Sequence, residues 1–147
     1  KKYINSLAKY YFTDMGLRNA LLGFRQIEET HLMENVIYNE LIARGFKVDV
    51  GNIEAIIRDK NGNVRRALYE VDFVANRGSV RYYIQSALAI PGEPKMQQET
   101  ASFHRINDSF KKIIIVGSNI MPYHNDDGYL IIGLYDFLLS PNSLDMI

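Results

Sequence analysis

Leu68-Tyr69-Glu70-Val71-Asp72-Phe73-Val74-Ala75, then Asn76-Arg77-Gly78-Ser79, then Val80-Arg81-Tyr82-Tyr83-Ile84-Gln85-Ser86-Ala87: this stretch decides the reading of the chain. Its two halves are rich in β-branched and aromatic residues and flank a turn sequence, so they predict two antiparallel strands. Alternation places Val71, Phe73 and Ala75 on one face and Glu70, Asp72 and Val74 on the other. With Arg77-Gly78 as a two-residue turn, Asp72 stands across from Tyr83 and Glu70 across from Gln85. Glu70, Asp72, Tyr83, Gln85 and Ala87 then share one face. Either that face is the solvated side of the meander, or its carboxylates gather around a divalent metal ion or a basic partner.

Working outward, Asp59-Lys60-Asn61-Gly62-Asn63 predicts a hairpin turn, because Asn-Gly favours the positive φ angles of tight turns. It joins a strand over 53–58 to the strand over 64–75, with a further short strand over 46–50. Upstream, Asp14 predicts an N-cap for a helix carrying Leu17, Ala20 and Leu21, with Gly23 as its stop. A second helix runs from Thr30 to Gly45, with Met33, Val36, Ile37 and Leu41 at i, i+3, i+4 and i+8. Downstream, 93–106 reads as a helix, and Ile113-Ile114-Ile115-Val116 reads as a strand covered on both faces. A polar loop over 118–127, a last strand over 129–134 and a short helix from Asp136 complete the order. The fold class is α/β: a mixed central sheet with an antiparallel meander, flanked by helices.

The chain has 147 residues, one domain's worth, with 47% hydrophobic and 23% charged residues, which excludes a disordered tail. Seventeen basic and seventeen acidic residues cancel, so net charge does not advertise nucleic acid or membrane. No apolar run reaches the roughly 18 residues of a membrane span. The absence of cysteine excludes disulfides and thiolate chemistry and predicts a reducing, cytoplasmic setting. The opening Lys1-Lys2-Tyr3-Ile4 lacks an initiator Met and any apolar stretch behind it, which predicts a piece of something longer. His31, His104 and His124 show no metal-ligand spacing, and no phosphate-binding G-x-x-x-x-G-K-[ST] occurs.

Four ordered motifs carry a resemblance. They are Lys9-Tyr10-Tyr11-Phe12-Thr13-Asp14-Met15-Gly16-Leu17-Arg18-Asn19, Leu32-Met33-Glu34-Asn35-Val36-Ile37-Tyr38-Asn39-Glu40-Leu41, Glu70-Val71-Asp72-Phe73-Val74 and Tyr83-Ile84-Gln85. Together they resemble the C-terminal domain of unknown function that follows the P-loop and winged-helix domains of prokaryotic AAA+ ATPases. That module in turn looks like the PD-(D/E)xK restriction-endonuclease-like fold. The resemblance implies residues 1–8 as a linker from an upstream region and 9–147 as a single nuclease-like domain. It implies ATP bound by an upstream ATPase domain of the same chain and no cofactor in this domain beyond Mg²⁺.

Residue by residue, the resemblance puts Glu34 in the place of the metal-facing glutamate of the first core helix. Asp72 takes that of the Mg²⁺-binding aspartate, and Gln85 that of the Glu or Gln of the third strand. Ala87 stands where the nuclease group has its lysine. Losing that preorganised charge typically costs about 10²–10³ in rate, so the implied site is degenerate and the domain serves DNA, RNA or partner binding. Two alternatives are an active Mg²⁺-dependent nuclease with a basic residue relocated from elsewhere, and a protein-interaction module with no nucleic-acid role. Arg81 is a poor relocated cation, two pleats beyond Gln85. No membrane partner is implied.

Overall fold

In a computed structural model, residues 9–25, 28–58, 62–90, 92, 96–97 and 99–146 are described. The predicted linker over 1–8, most of the Asp59–Asn63 turn and part of the 93–106 helix lie outside them. The elements run α1 (Met15–Leu21), α2 (Glu29–Ala43), β1 (Lys47–Arg58), β2 (Val64–Arg77), β3 (Val80–Ala87), β4 (Lys111–Val116), β5 (Tyr123–His124), β6 (Leu130–Gly133) and α3 (Leu134–Leu139). Six strands form one sheet in the order β1-β2-β3-β4-β6-β5. β1, β2 and β3 make the antiparallel meander, β4 and β6 run parallel to β3, and β5 returns antiparallel. The protein is α/β, with a mixed sheet between helices. Among the described residues no helix is long and apolar enough to cross a membrane.

Local chemistry sets the helix ends. Asp14 Oδ1 accepts from Leu17 N at 2.7 Å, the predicted cap. Helix α2 ends where Gly45 takes φ 81°. Gly45 N donates to Ile42 O at 2.9 Å and Phe46 N to Leu41 O at 3.0 Å, a Schellman pair that also brings Phe46 into the core beside Leu41.

Two apolar layers sandwich the sheet. Met33, Ile37 and Leu41 of α2 pack against Phe73, Ala75, Tyr82, Ile84, Ile113 and Ile115 on one side. Val71, Tyr83, Ala87, Ile114 and Val116 form the other layer with Phe103 and Tyr129. β4 is buried on both faces over Ile113–Val116, as its continuous apolar run predicts.

Three expectations are corrected, besides the loop over 118–127, which holds β5. β1 is one strand across Gly51 rather than two, because the longer β2 pairs with its whole length. The 93–106 helix is interrupted: Thr100 N donates to Met96 O, but Phe103–Arg105 is a 3-10 turn. The third correction shapes the site. Arg77 pairs with Val80, so the β2–β3 turn is Gly78-Ser79, and Tyr83 faces Val74 instead of Asp72.

A bulge then breaks the alternation of β2. Gly51 pairs with Val71 and Asp49 with Val74, so the two residues Asp72 and Phe73 oppose the single residue Val50. Val71 and Val74 therefore lie in one layer while Phe73 and Ala75 lie in the other. Gly51 permits this, since a Cβ there would meet Val71 Cβ at 2.9 Å and Val74 Cγ2 at 3.0 Å. The expected single-face cluster is divided between the two sides of the sheet.

Candidate functional site

The α2 side of the bulge holds the acidic residues. Glu34 projects from α2 one position after the buried Met33, and Glu70 and Asp72 project from β2. Between them lies a side chain from the other end of the sequence. Lys9 Nζ is 2.6 Å from Glu70 Oε1, 3.0 Å from Asp72 Oδ1 and 3.4 Å from Glu34 Oε2. Asp72 Oδ2 accepts from Ser86 N at 2.9 Å and Ser86 Oγ at 3.1 Å, so both of its oxygens are engaged.

Lys9 is delivered by a strap, residues 9–12, laid over α2. Asn35 is 2% exposed and clamps the strap through both backbone polar groups of Phe12. Its Oδ1 accepts from Phe12 N at 2.8 Å and its Nδ2 donates to Phe12 O at 2.7 Å. Asn39, one turn later, donates to the same carbonyl at 2.9 Å. Tyr11 stacks on Tyr38 with ring centroids 4.2 Å apart and an 11° interplanar angle, closing the apolar side of the strap.

Gln85 and Ala87 lie elsewhere. Gln85 approaches Asp72 through the backbone, its Oε1 accepting from Asp72 N at 3.2 Å. By strand alternation it shares the side of Tyr83 and Ala87, and it does not line the cavity where Glu34, Glu70 and Asp72 meet. Ser86 occupies the position beside the Asp72 carboxylate that a Gln85 side chain on the same face would have taken. Ala87 is packed in the second apolar layer. Arg81 is turned away, donating to Asn76 Oδ1 at 2.8 Å.

Electrostatics follow from this packing. Burial by itself pushes the Lys9 ammonium down, but its hydrogen bond to Glu70 and the charges of Asp72 and Glu34 outweigh burial and raise it. Burial, then the Asp72 charge, raise the Glu34 carboxyl above its ordinary range, against the pull of Lys9. Burial also raises the Tyr11 phenol beside them.

The Glu34 shift has a testable sign. A raised carboxyl holds its proton more tightly in the folded protein, so its ionisation opposes folding at neutral pH. That cost is absent below the unfolded value of about 4.3 and complete above the folded one. Glu34→Gln keeps an acceptor for Lys9 and removes the cost. The variant is expected to melt at or above the wild-type temperature at pH 7, with the difference closing as the acid limit is approached. Thermal unfolding followed by circular dichroism across that range checks it, and a melting temperature below wild type at pH 7 counts against it.

A cavity of about 600 Å³ opens beside the cluster, lined by Lys9, Tyr10, Tyr11, Phe12, Arg18, Leu22, His31, Glu34, Asn35, Glu70 and Asp72. A hard divalent cation takes oxygen ligands, and Mg²⁺ is ordinarily held by one or two carboxylates together with waters. Here one ammonium engages all three carboxylates, and Ser86 takes the second oxygen of Asp72. Among the described residues no three His, Asp or Glu side chains are arranged to hold a metal ion. As folded, an ammonium occupies the space among the three carboxylates.

Sequence reasoning missed Lys9 and Ser86. Lys9 stands at the head of the aromatic stretch Tyr10-Tyr11-Phe12, but no periodicity reports that this stretch crosses to a strand more than sixty residues away. Ser86 is excluded from Asp72 by plain alternation, and only the bulge brings them together.

A Haemophilus influenzae protein described as uncharacterized is 32% identical to this chain over 142 residues, which is 95% of this chain and 30% of that protein. The chain thus spans less than a third of the length of the curated relative it matches. No family model and no solved structure matches it.

Proposed function

We propose that this chain is an accessory domain of a larger ATPase, with a nuclease-like fold and an acidic site that does not cut, serving nucleic-acid or partner binding. The observation that carries the reading is the Lys9 ammonium seated among Glu34, Glu70 and Asp72. It occupies the space among the carboxylates that a catalytic metal would need and supplies a single cation where phosphodiester cleavage needs a metal and a further charge. Position 87, where the nuclease group has lysine, carries a methyl. A relative more than three times as long fits a domain within a larger protein, and the absence of cysteine fits a cytoplasmic one.

The same contact favours one second reading. Lys9 at 3.0 Å from Asp72 is the basic residue that an active nuclease with a relocated lysine requires. A cleavage assay on labelled DNA and RNA with Mg²⁺ or Mn²⁺ separates the two. The expected result is no cleavage above background by the wild type, alongside measurable binding in a gel-shift assay. Cleavage abolished by both Asp72→Asn and Lys9→Met would overturn the non-catalytic reading and establish the second.

A further inference from the structure

Beyond the three-stranded part of the sheet, β1 and β2 continue alone. The β2–β3 pairing runs from Arg77 opposite Val80 to Phe73 opposite Ile84, while the β1–β2 pairing continues to Arg58 opposite Val64. The far half is a two-stranded ribbon. Cross-strand partners share a face, so Glu54 with Leu68, Ile56 with Arg66 and Arg58 with Val64 form one side of it. All six are exposed, and Ile56, Val64 and Leu68 are 74%, 60% and 55% accessible. Arg65 is exposed on the reverse side, next to the tip.

The three arginines have no ion pair or hydrogen bond among the described residues. In a chain of zero net charge they are a local excess: among the described residues 52–58 and 64–68 the acidic side chain is Glu54. Along β2 the side bearing Arg66 and Leu68 continues to Glu70, which touches Lys9. Arg66 thus lies on the face of the acidic site, four residues from Glu70 and about 13 Å away at ~3.3 Å per residue. That span is about four base-pair steps of ~3.4 Å.

We infer that the β1–β2 ribbon is a DNA-binding arm that enters the major groove of a duplex and holds it across the acidic face. The partner follows from chemistry. A two-stranded ribbon has the width that the major groove admits. Unpaired arginines on both of its sides present planar donor forks to phosphates on the two groove walls. Ile56, Val64 and Leu68 supply the apolar contact that thymine methyl groups take. An acidic protein surface would satisfy the arginines but gives no reason for their placement on both faces of a narrow ribbon. The inference rests on the nucleic-acid half of the proposed function.

The test is fluorescence anisotropy with a short labelled DNA duplex, comparing wild type with the Arg58→Ala/Arg65→Ala/Arg66→Ala triple variant. These side chains have no partners among the described residues, so the circular dichroism spectrum should not change. At low salt the triple variant is expected to bind at least tenfold more weakly. Between about 50 and 200 mM salt its log–log slope should be shallower by roughly 2–3, since each phosphate contact contributes about 0.9. Equal affinity and equal slope in the two proteins would overturn the arm while leaving nucleic-acid binding standing. A wild type that binds no duplex at the lowest salt would overturn the nucleic-acid reading itself. Single-stranded DNA bound as tightly as duplex, or a concentration-dependent dimer in light scattering that Ile56→Asp abolishes, would also overturn the arm.

Discussion

Lys9→Met is expected to destabilise the protein by about 1–3 kcal/mol at pH 7. Removing one partner from a buried ion pair typically costs ~3–5 kcal/mol, because charge is left uncompensated in a poorly solvated place. Here the figure is lower because the pair is only partly enclosed. Lys9 is 26% and Glu70 38% exposed, although Asp72 is 11% and Glu34 16%. Methionine preserves the aliphatic stem, so what is lost is mainly the ammonium. At this chain length each kcal/mol moves the melting temperature by roughly 2–4 °C.

The pH dependence of this loss has a definite sign. The Lys9 ammonium is raised in the folded protein, so its stabilising contribution is complete below the unfolded lysine value of about 10.4 and is lost as pH rises through the folded one. In the variant the cost comes from carboxylates facing one another without a counter-ion. The difference from wild type should shrink as pH falls and Glu34, whose carboxyl burial and the Asp72 charge hold above its ordinary range, takes up its proton. Urea unfolding at pH 7 and at acid pH checks both statements, and equal losses at the two pH values would be inconsistent with an electrostatic cause.

Asn35→Ala is expected to have the second large effect, about 2–4 kcal/mol if the strap stays in place. The buried amide makes two short hydrogen bonds, to the backbone N–H and C=O of Phe12, and each unsatisfied buried partner costs roughly 1–3 kcal/mol. Asn39 still reaches Phe12 O, but nothing else among the described residues accepts from Phe12 N. The alternative for the chain is to let the strap lift away, which removes Lys9 from the acidic cluster as well. Hydrogen exchange at the Phe12 amide distinguishes these outcomes. Fast exchange with a modest global loss indicates a lifted strap, and the Lys9→Met and Asn35→Ala effects should then be markedly less than additive. Retained wild-type protection would mean that Asn35 does not hold the strap.

Much of the fold is legible in local sequence chemistry. The Asp14 cap, the Gly45 stop and the apolar spacing of Met33, Ile37 and Leu41 are each properties of a few neighbouring residues, and α1 and α2 form where they predict. The 80–87 strand and the doubly covered apolar run after Lys112 are equally local. The site is less legible. Moving the turn by one residue shifts the cross-strand register by two and keeps every side chain on its face, so alternation cannot distinguish Arg77-Gly78 from Gly78-Ser79.

The bulge is invisible for a related reason. It depends on Gly51, some twenty residues before Asp72, leaving room for Val71 and Val74. Its consequence is large: Glu70 and Asp72 turn toward Glu34, while Gln85 remains on the other side. Lys9 is further from reach, because the strap's position is set by side chains of α2 that carry no signal of what they clamp.

The most direct measurement is a double-mutant cycle on Lys9 and Asp72. The stabilities of wild type, Lys9→Met, Asp72→Asn and the double variant are obtained from urea unfolding at pH 7. If Lys9 is the cation of the acidic site, the cycle gives a favourable coupling of about 1–2 kcal/mol, with the double variant losing less than the two singles together. Additivity within about 0.3 kcal/mol would contradict it.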